Sequence, residues 1–581
     1  MSFYLLSLSA LPLLRFAVAV TVGNTTTPAG CRAIPGDISW PSRADWNSLN
    51  RTVGGKLVAT IPIAAPCHNT LFGQPNPLFN QDECDTLRSV WFFPETHEPS
   101  SSSPMAYIHS NNSCNPFLTP DTPCTLGNHV TYAINATSTT DFQTGIKFAR
   151  DHNVRLVIRN TGHDYIGKST GAHSLSIWTH YLKSMDLISE YQSASYTGPA
   201  IKVGAGVASV EAYAFADSYG LMVVGGNCGT VGLAGGYTQG GGHGPLVSKF
   251  GLAADQVLEI EVVTANGELL TASATSNTDL FWALRGGGGS TFGIVASMTV
   301  KAYPDIAAST AYLTVPINDT NINDTYSAIG TFIQTLPALA DAGGYVAWQV
   351  VPQAFVVTPA FMPGMQAEEL DNLLQPVLDK LDNASLAYEY TSSTNTTYLR
   401  TFNSVSTICN VSDFFGGSKF VPRSVALDNT DGVVDVVRAI GSQSIFIGVA
   451  LNVKDGVASP DDNAVNPAFR DALFQVSVGA TIDYQDFANN AAAQHDVTFD
   501  LLAKVAALAP DGGAYLNEGD ADQPDFQATF YGDHYARLLD IKRRYDPHDI
   551  FYAQTAVGSE RWEQEADGRL CMVCNGIQGI C

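Results

Sequence analysis

Residues 141–150 (DFQTGIKFAR) carry the apolar and polar spacing of an amphipathic helix, and the chain then closes into VRLVIR at 154–159, a short apolar run read as a buried strand. The same reading predicts strands at 174–178 and 200–203, a helix over 208–219 closed by Gly220, and a strand at 221–224. Residues 257–264 and 268–272 flank Asn266-Gly267, a hairpin signal. The segment 281–284 runs into four consecutive glycines, Gly286 to Gly289, and a strand resumes over 293–300. After Tyr303-Pro304 the glycine-rich turns give way to sequon-bearing loops and longer strand or helix candidates such as 345–357 and 368–381. A third region starts near Gly512 and ends in a helix over 535–545, stopped by Asp546-Pro547.

Two of the predicted strands lead into glycine-rich turns. The first, RNTGHDYIGKSTG, holds His163; the second, GGNCGTVGLAGGYTQGGGHG, holds Cys228. Glycine lets backbone N–H groups approach an anion closely, so two such turns suit the lining of a pyrophosphate. His163 and Cys228 then become candidate attachment points for the ligand.

Composition narrows the partners. With 45% hydrophobic residues over 581 positions the chain can build at least two sizeable cores. Its formal charge of -25 would repel nucleic-acid backbones and anionic lipid headgroups, which leaves a small molecule as the expected partner of a monomeric protein. Residues 1–19 form an apolar run ending in Ala17-Val18-Ala19, read as a signal peptide, although no Lys or Arg precedes it and Arg15 interrupts it. Sequons at Asn24, Asn50, Asn111, Asn135, Asn318, Asn323, Asn383, Asn395 and Asn410 point the same way, to a secreted glycoprotein. So do the 10 cysteines, crowded toward both ends as in a disulfide-bonded extracellular protein. If Cys228 is spent on a ligand, nine remain, and that odd number predicts at least one free thiol, such as Cys409, or a pairing with another chain.

Taken together, these turns, GLAADQVLEIEVVTANGELLTAS, DLFWALRGGGGSTFGIV and the terminal DPHDIFY resemble the vanillyl-alcohol oxidase and p-cresol methylhydroxylase flavoproteins, and within them the berberine-bridge-enzyme-like oxidases, isoamyl-alcohol-oxidase-like branch. The resemblance is dense over 154–304 and thinner over 512–557. It implies an α+β flavoprotein of two domains. A PCMH-type FAD-binding domain is expected from residues 20–304 and 512–581, and a substrate domain with a large antiparallel sheet from 305–511. It also implies FAD bonded through its 8α-methyl carbon to His163 and through C6 to Cys228, where glycine follows the cysteine in place of the usual proline. Tyr237 stands where many relatives have a histidine near the flavin. The remaining cofactor contacts are expected from Arg159, Asn160, Thr161, Gly162, Asp164, Tyr165, Gly167, Ser169, Thr230, Val231, Gly232, Gly236, Gly240, Gly241, Gly242, Gly251, Asp255 and Val262.

Other motifs read as decoys. Gly167-Lys168-Ser169-Thr170-Gly171 fits a hydrolase elbow but runs toward a strand rather than a helix. Cys571-x-x-Cys574 lacks a second pair at zinc-finger spacing and reads as disulfide chemistry, and no metal is expected. Gly204-Ala205-Gly206 lacks the third glycine of a nicotinamide site.

Oxidising an alcohol needs a base beside the flavin. GAYLNEGD, residues 513–520, resembles the family strand Y-x-N-Y, with Glu518 in place of the second tyrosine. Strand alternation would put Tyr515 and Asn517 on one face and Glu518 on the other, so either Glu518 or Tyr515 is the base. The expected reaction is oxidation of an alcohol to a carbonyl, with oxygen reduced to hydrogen peroxide. A biosynthetic oxidase or dehydrogenase forming C–C or C=C bonds, and a binding glycoprotein without redox chemistry, stay open as alternatives.

Overall fold

The computed structural model describes residues 26–405, 409–453 and 461–573; the leader at 1–19, the sequon at Asn24, and Cys574 and Cys581 lie outside them. The first predicted helix forms as Thr139–Asp151. Its first turn is closed by the Asp141 carboxylate, which accepts the backbone N–H groups of Thr137 at 2.9 Å and Ser138 at 3.1 Å. The helix crosses from the strand Tyr132–Asn135 to the strand Arg155–Arg159, and both of these flank or neighbour Ser174–Trp178 in a four-stranded sheet completed by Leu57–Ala59. Three of its four strands, all but Leu57–Ala59, run parallel, so their carboxyl ends open on one side. That side is where an α/β sheet offers space for a ligand, and the His163 turn leaves from it.

A second sheet is antiparallel, in the order Leu269–Ser273, Val257–Val263, Ile294–Lys301, Thr197–Gly204, Met185–Gln192. The Asn266-Gly267 hairpin forms as read, with Val263 opposite Leu269. Met185–Gln192 has no sequence counterpart above. It is a half-exposed edge strand with an irregular register between Ile188 and Tyr191, and so lacks a clean alternation.

The third sheet has seven antiparallel strands between Ala308 and Thr481. Residues 345–357 resolve into two of them, Tyr345–Val351 and Ala354–Pro363, with Val351 opposite Ala354 across a tight turn. Helices Ile322–Asp341, Ala367–Asn383 and Thr430–Gly441 pack on this sheet, where Phe332, Trp348, Phe355, Phe446 and Phe474 form an aromatic core. In Ile445–Ala450 burial alternates strictly: Phe446 and Ala450 face that core, leaving Ile447 and Val449 for the opposite face. One side of the sheet is therefore core and the other is a wall.

The chain end returns to the first half. In the helix Tyr535–Tyr545, the buried Lys542 ammonium donates to Thr291 O at 2.9 Å, Phe551 O at 2.7 Å and the Asp546 carboxylate at 2.6 Å. Asp546 also accepts the N–H groups of Ile550 and Phe551, each at 2.8 Å, so the DPHDIFY motif ends the helix and locks its turn. Four disulfides join Cys31 to Cys571, Cys67 to Cys84, Cys114 to Cys124 and Cys228 to Cys409. The partner of Cys571 is thus Cys31, across the two chain ends, and not the nearby Cys574. Cys409 is not free.

Two further expectations need correction. The strand expected at 221–224 stops after Leu221–Met222, because its partner, Tyr303–Pro304, offers only two residues to pair with. The segment 281–284, given no element above, lies at the end of a short helix, Thr278–Ala283. Residues 513–520 form a turn instead of a strand: the N–H of Glu518 donates to Tyr515 O at 3.0 Å. A reversal three residues long removes the alternation that had set Tyr515 and Glu518 on opposite faces.

Candidate active site

A cavity of about 400 Å³ lies between the two glycine turns and the open face of the seven-stranded sheet. The His163 turn is closed by its own aspartate. Asp164 accepts the N–H groups of Ile166 at 3.0 Å and Ser169 at 2.6 Å. Gly162 has φ of +98°, and a Cβ there would lie 2.5 Å from the Arg159 guanidinium, so neither the conformation nor the space admits a side chain.

The two turns are keyed together by Asn160. Its amide donates to Thr179 Oγ1 at 3.0 Å and to Ala205 O, and its oxygen fills the place a Cβ on Gly232 would take. Thr230, from the cysteine turn, sets its Oγ1 2.6 Å from His163 Nε2. Burial, with His97 and Arg159 nearby, pushes the His163 imidazole down to about 4, so the ring is neutral at neutral pH.

Of the sequence-derived residues, His163, Asn160, Thr161, Gly162, Asp164, Tyr165, Ser169, Cys228, Val231, Gly232, Gly236 and Tyr237 line this cavity, together with Tyr515 and Glu518. Others stand behind the wall. Arg159 is fully buried and donates to Ser100 O at 3.0 Å and His97 O at 3.3 Å, beneath the turn. Gly167 packs on the His109 ring, and Thr230 reaches the site only through His163. Gly240 lies against the Asn517 amide, Gly242 donates its N–H to Tyr515 Oη at 3.2 Å, and Gly241 lies between them. Val262 is an interior strand residue, and Gly251 ends the short helix Val247–Phe250. Asp255 is spent on a buried two-point ion pair with Arg470, with contacts of 2.8 and 2.7 Å, because an unpaired carboxylate there would be costly.

Cys228 lines the cavity but its sulfur is bonded to Cys409, 181 residues away. One sulfur cannot hold both that bond and a flavin, so its assignment as a second flavin ligand does not describe this state. Sequence spacing could not reveal a partner that distant.

The turn at the chain end delivers the acid-base groups. Tyr515 Oη accepts the Gly242 N–H and the Asn517 amide, the latter at 2.7 Å, and Asn517 also donates to Gly236 O at 2.9 Å. Glu518 faces the same space, its side chain 32% exposed, with His243 Nε2 3.1 Å from Oε1 and Gln475 Nε2 2.5 Å from Oε2. Burial drives the Glu518 carboxyl upward, but the charge and hydrogen bond of His243 and the bond from Gln475 outweigh it, leaving the group below its ordinary value. His243, Gln475 and Tyr345 escaped the sequence reading because they come from three remote segments; GGGHG was the only local hint.

Whether FAD fits is tested by what the wall leaves unsatisfied. Lys168 Nζ and Tyr237 Oη are buried without a hydrogen-bond partner, and both residues line the cavity. A cation suits a pyrophosphate, and a lone phenol suits a polar ring edge. Gly236 also lines the cavity, and a Cβ there would meet nothing within 4 Å, so the glycine keeps the space clear. The residues fit the group.

Comparison with known proteins agrees. Residues 130–273 match a family model described as an FAD binding domain, and residues 514–558 one described as berberine and berberine like. The chain is 41% identical to the FAD-linked oxidoreductase sor8 of Hypocrea jecorina over 96% of both chains. It is also 41% identical to the bifunctional decalin synthase calF of Penicillium decumbens, over 94% of this chain and 96% of that one. The crystal structure of the VAO-type flavoprotein MtVAO615 from Myceliophthora thermophila superposes with a TM-score of 0.89 at 40% identity, covering 94% of this chain and 100% of the other.

Proposed function

The chain belongs to the berberine-like, VAO-type FAD-linked oxidoreductases, and on that premise we propose that it oxidises a hydroxyl of a largely apolar alcohol to a carbonyl, reducing oxygen to hydrogen peroxide. The observation that carries the reading is the Glu518 carboxylate, held ionised in the cavity whose opposite wall fits FAD. When bound, FAD supplies a hydride acceptor that hands two electrons to oxygen.

The protein's own part is to hold and deprotonate the substrate. Glu518 accepts the hydroxyl proton while the carbon loses its hydride. Tyr515 is a poorer base: burial and the Glu518 charge raise its phenol, and its oxygen already accepts two donors. The roof is formed by Phe414, Gly416, Gly417, Ile447 and Val449, and the sheet adds the hydroxyls of Ser477 and Tyr345 to the lining. Such a surface suits a flat apolar body carrying one hydroxyl better than a sugar, whose many hydroxyls would go unpaired.

A covalent tether through His163 is part of the reading. In the tautomer whose Nε2–H donates to Thr230 Oγ1, Nδ1 would keep its lone pair available for bonding to the flavin methyl carbon. A second tether at Cys228 requires the bond to Cys409 to be opened first. Secretion is supported by the four disulfides and by exposed sequon asparagines at Asn111, Asn318, Asn323, Asn383 and Asn410.

A second reading, a biosynthetic oxidase forming C–C or C=C bonds, is favoured by the similarity to the decalin synthase. Anaerobic mixing with a panel of aromatic, polyene and sugar alcohols separates the two. The first reading predicts flavin bleaching by apolar alcohols and equimolar peroxide on admitting air. Bleaching only by sugars would overturn the substrate class, and bleaching only by substrates without a reactive hydroxyl would favour the second reading.

A further inference from the structure

Four segments meet at Glu518, and the sheet contributes two of them. His243 Nε2 lies against Oε1, and on the far side of the ring Tyr345 Oη stands 3.3 Å from Nδ1. The imidazole is 7% exposed and packs edge-on to Tyr515, with ring centroids 5.1 Å apart, and to Phe469 at 6.3 Å. It has no room to swing away. We propose that His243, braced by Tyr345, is a positioning residue that keeps Glu518 ionised and aims its unused lone pairs into the substrate cavity.

Each carboxylate oxygen takes one protein donor, His243 on Oε1 and Gln475 on Oε2, which leaves acceptor capacity on both for a substrate hydroxyl. In an apolar chamber an unsupported carboxylate reverts to the neutral acid, which cannot accept a proton. The other titratable groups facing Glu518 are the phenols of Tyr165, Tyr237, Tyr345 and Tyr515, each raised by burial and so uncharged. His243, in contact with Oε1, is the first of the neighbours that hold the carboxyl down against burial. Tyr345 fixes which way the ring points, being the first residue of its strand and buried against the same core.

This inference rests on the reading of Glu518 as the base, and its test separates the two. In the FAD-loaded enzyme, the rate of anaerobic flavin reduction is followed against pH for wild type, His243→Phe, His243→Gln and Tyr345→Phe. In parallel, the Glu518 carboxyl band is isolated by infrared difference against Glu518→Gln. The expected sign follows from the support removed: the carboxyl pKa rises, so the acid limb moves to higher pH. A shift of one unit makes the rate about tenfold lower below the limb, with full recovery above it. His243→Gln, which still donates, should fall between wild type and His243→Phe, and Tyr345→Phe should shift the limb less than His243→Phe. If His243→Phe does not fold, the other two variants carry the test. A uniform loss of rate with the limb and band unmoved would overturn the proposal. If no alcohol bleaches the wild-type flavin, the base assignment fails, while the infrared titration still decides whether His243 holds the carboxylate ionised.

Discussion

Replacing Glu518 by Gln is expected to slow flavin reduction by roughly two to four orders of magnitude, the usual contribution of a positioned general base. The amide keeps the size of the carboxylate and its place between His243 and Gln475, but it cannot take a proton. Flavin content and thermal stability should stay near wild type. Stopped-flow reduction with the best alcohol measures the effect directly, and Tyr515→Phe is the control. Because Tyr515 Oη is already engaged by Gly242 and Asn517, its loss should change the rate much less. The reverse order of effects would transfer the role to Tyr515.

The second large effect lies outside the cavity. Asp546→Ala is expected to destabilise the fold by about 3–5 kcal/mol, since removing one partner strands a buried charge. The pair is almost inaccessible, with Lys542 at 2% and Asp546 at 0% side-chain exposure. The ammonium would keep only the carbonyls of Thr291 and Phe551, and Thr291 follows Gly289 and Ser290, which line the cavity. Loss of stability should therefore be accompanied by easier loss of any flavin not covalently held. Denaturant titration reads the first effect. Pairing the change with Lys542→Met should recover much of it, because no charge is then left unpaired. A single-variant cost below about 1 kcal/mol would show that the neighbouring carbonyls suffice.

What could be read from the chain was local. The helix Tyr535–Tyr545, the strand Ser174–Trp178 and the Asn266-Gly267 hairpin follow from periodicity and turn chemistry, and the structure reproduces them. The His163 turn was legible for the same reason, since its glycines, its closing aspartate and the strand feeding it are consecutive. What failed was long-range. Cys228 looked available because nothing near it in sequence competes for the sulfur, yet Cys409 does. Asp255 looked like a ligand because Arg470, its partner, lies 215 residues on. His243 and Tyr345 are brought to Glu518 only by the packing of the sheet against the glycine turns. The GAYLNEGD segment failed locally: its composition permits a strand, but the turn closing on Tyr515 brings both candidate bases to one cavity.

The central claim is that an FAD sits in this cavity and is bonded to His163. Mass spectrometry of non-reduced tryptic digests of the yellow protein tests it most directly. The account predicts flavin on the peptide spanning residues 160–168, which contains His163, and a disulfide joining the peptides that carry Cys228 and Cys409. A digest in which the 160–168 peptide is recovered unmodified, with all the colour released on denaturation, would contradict it.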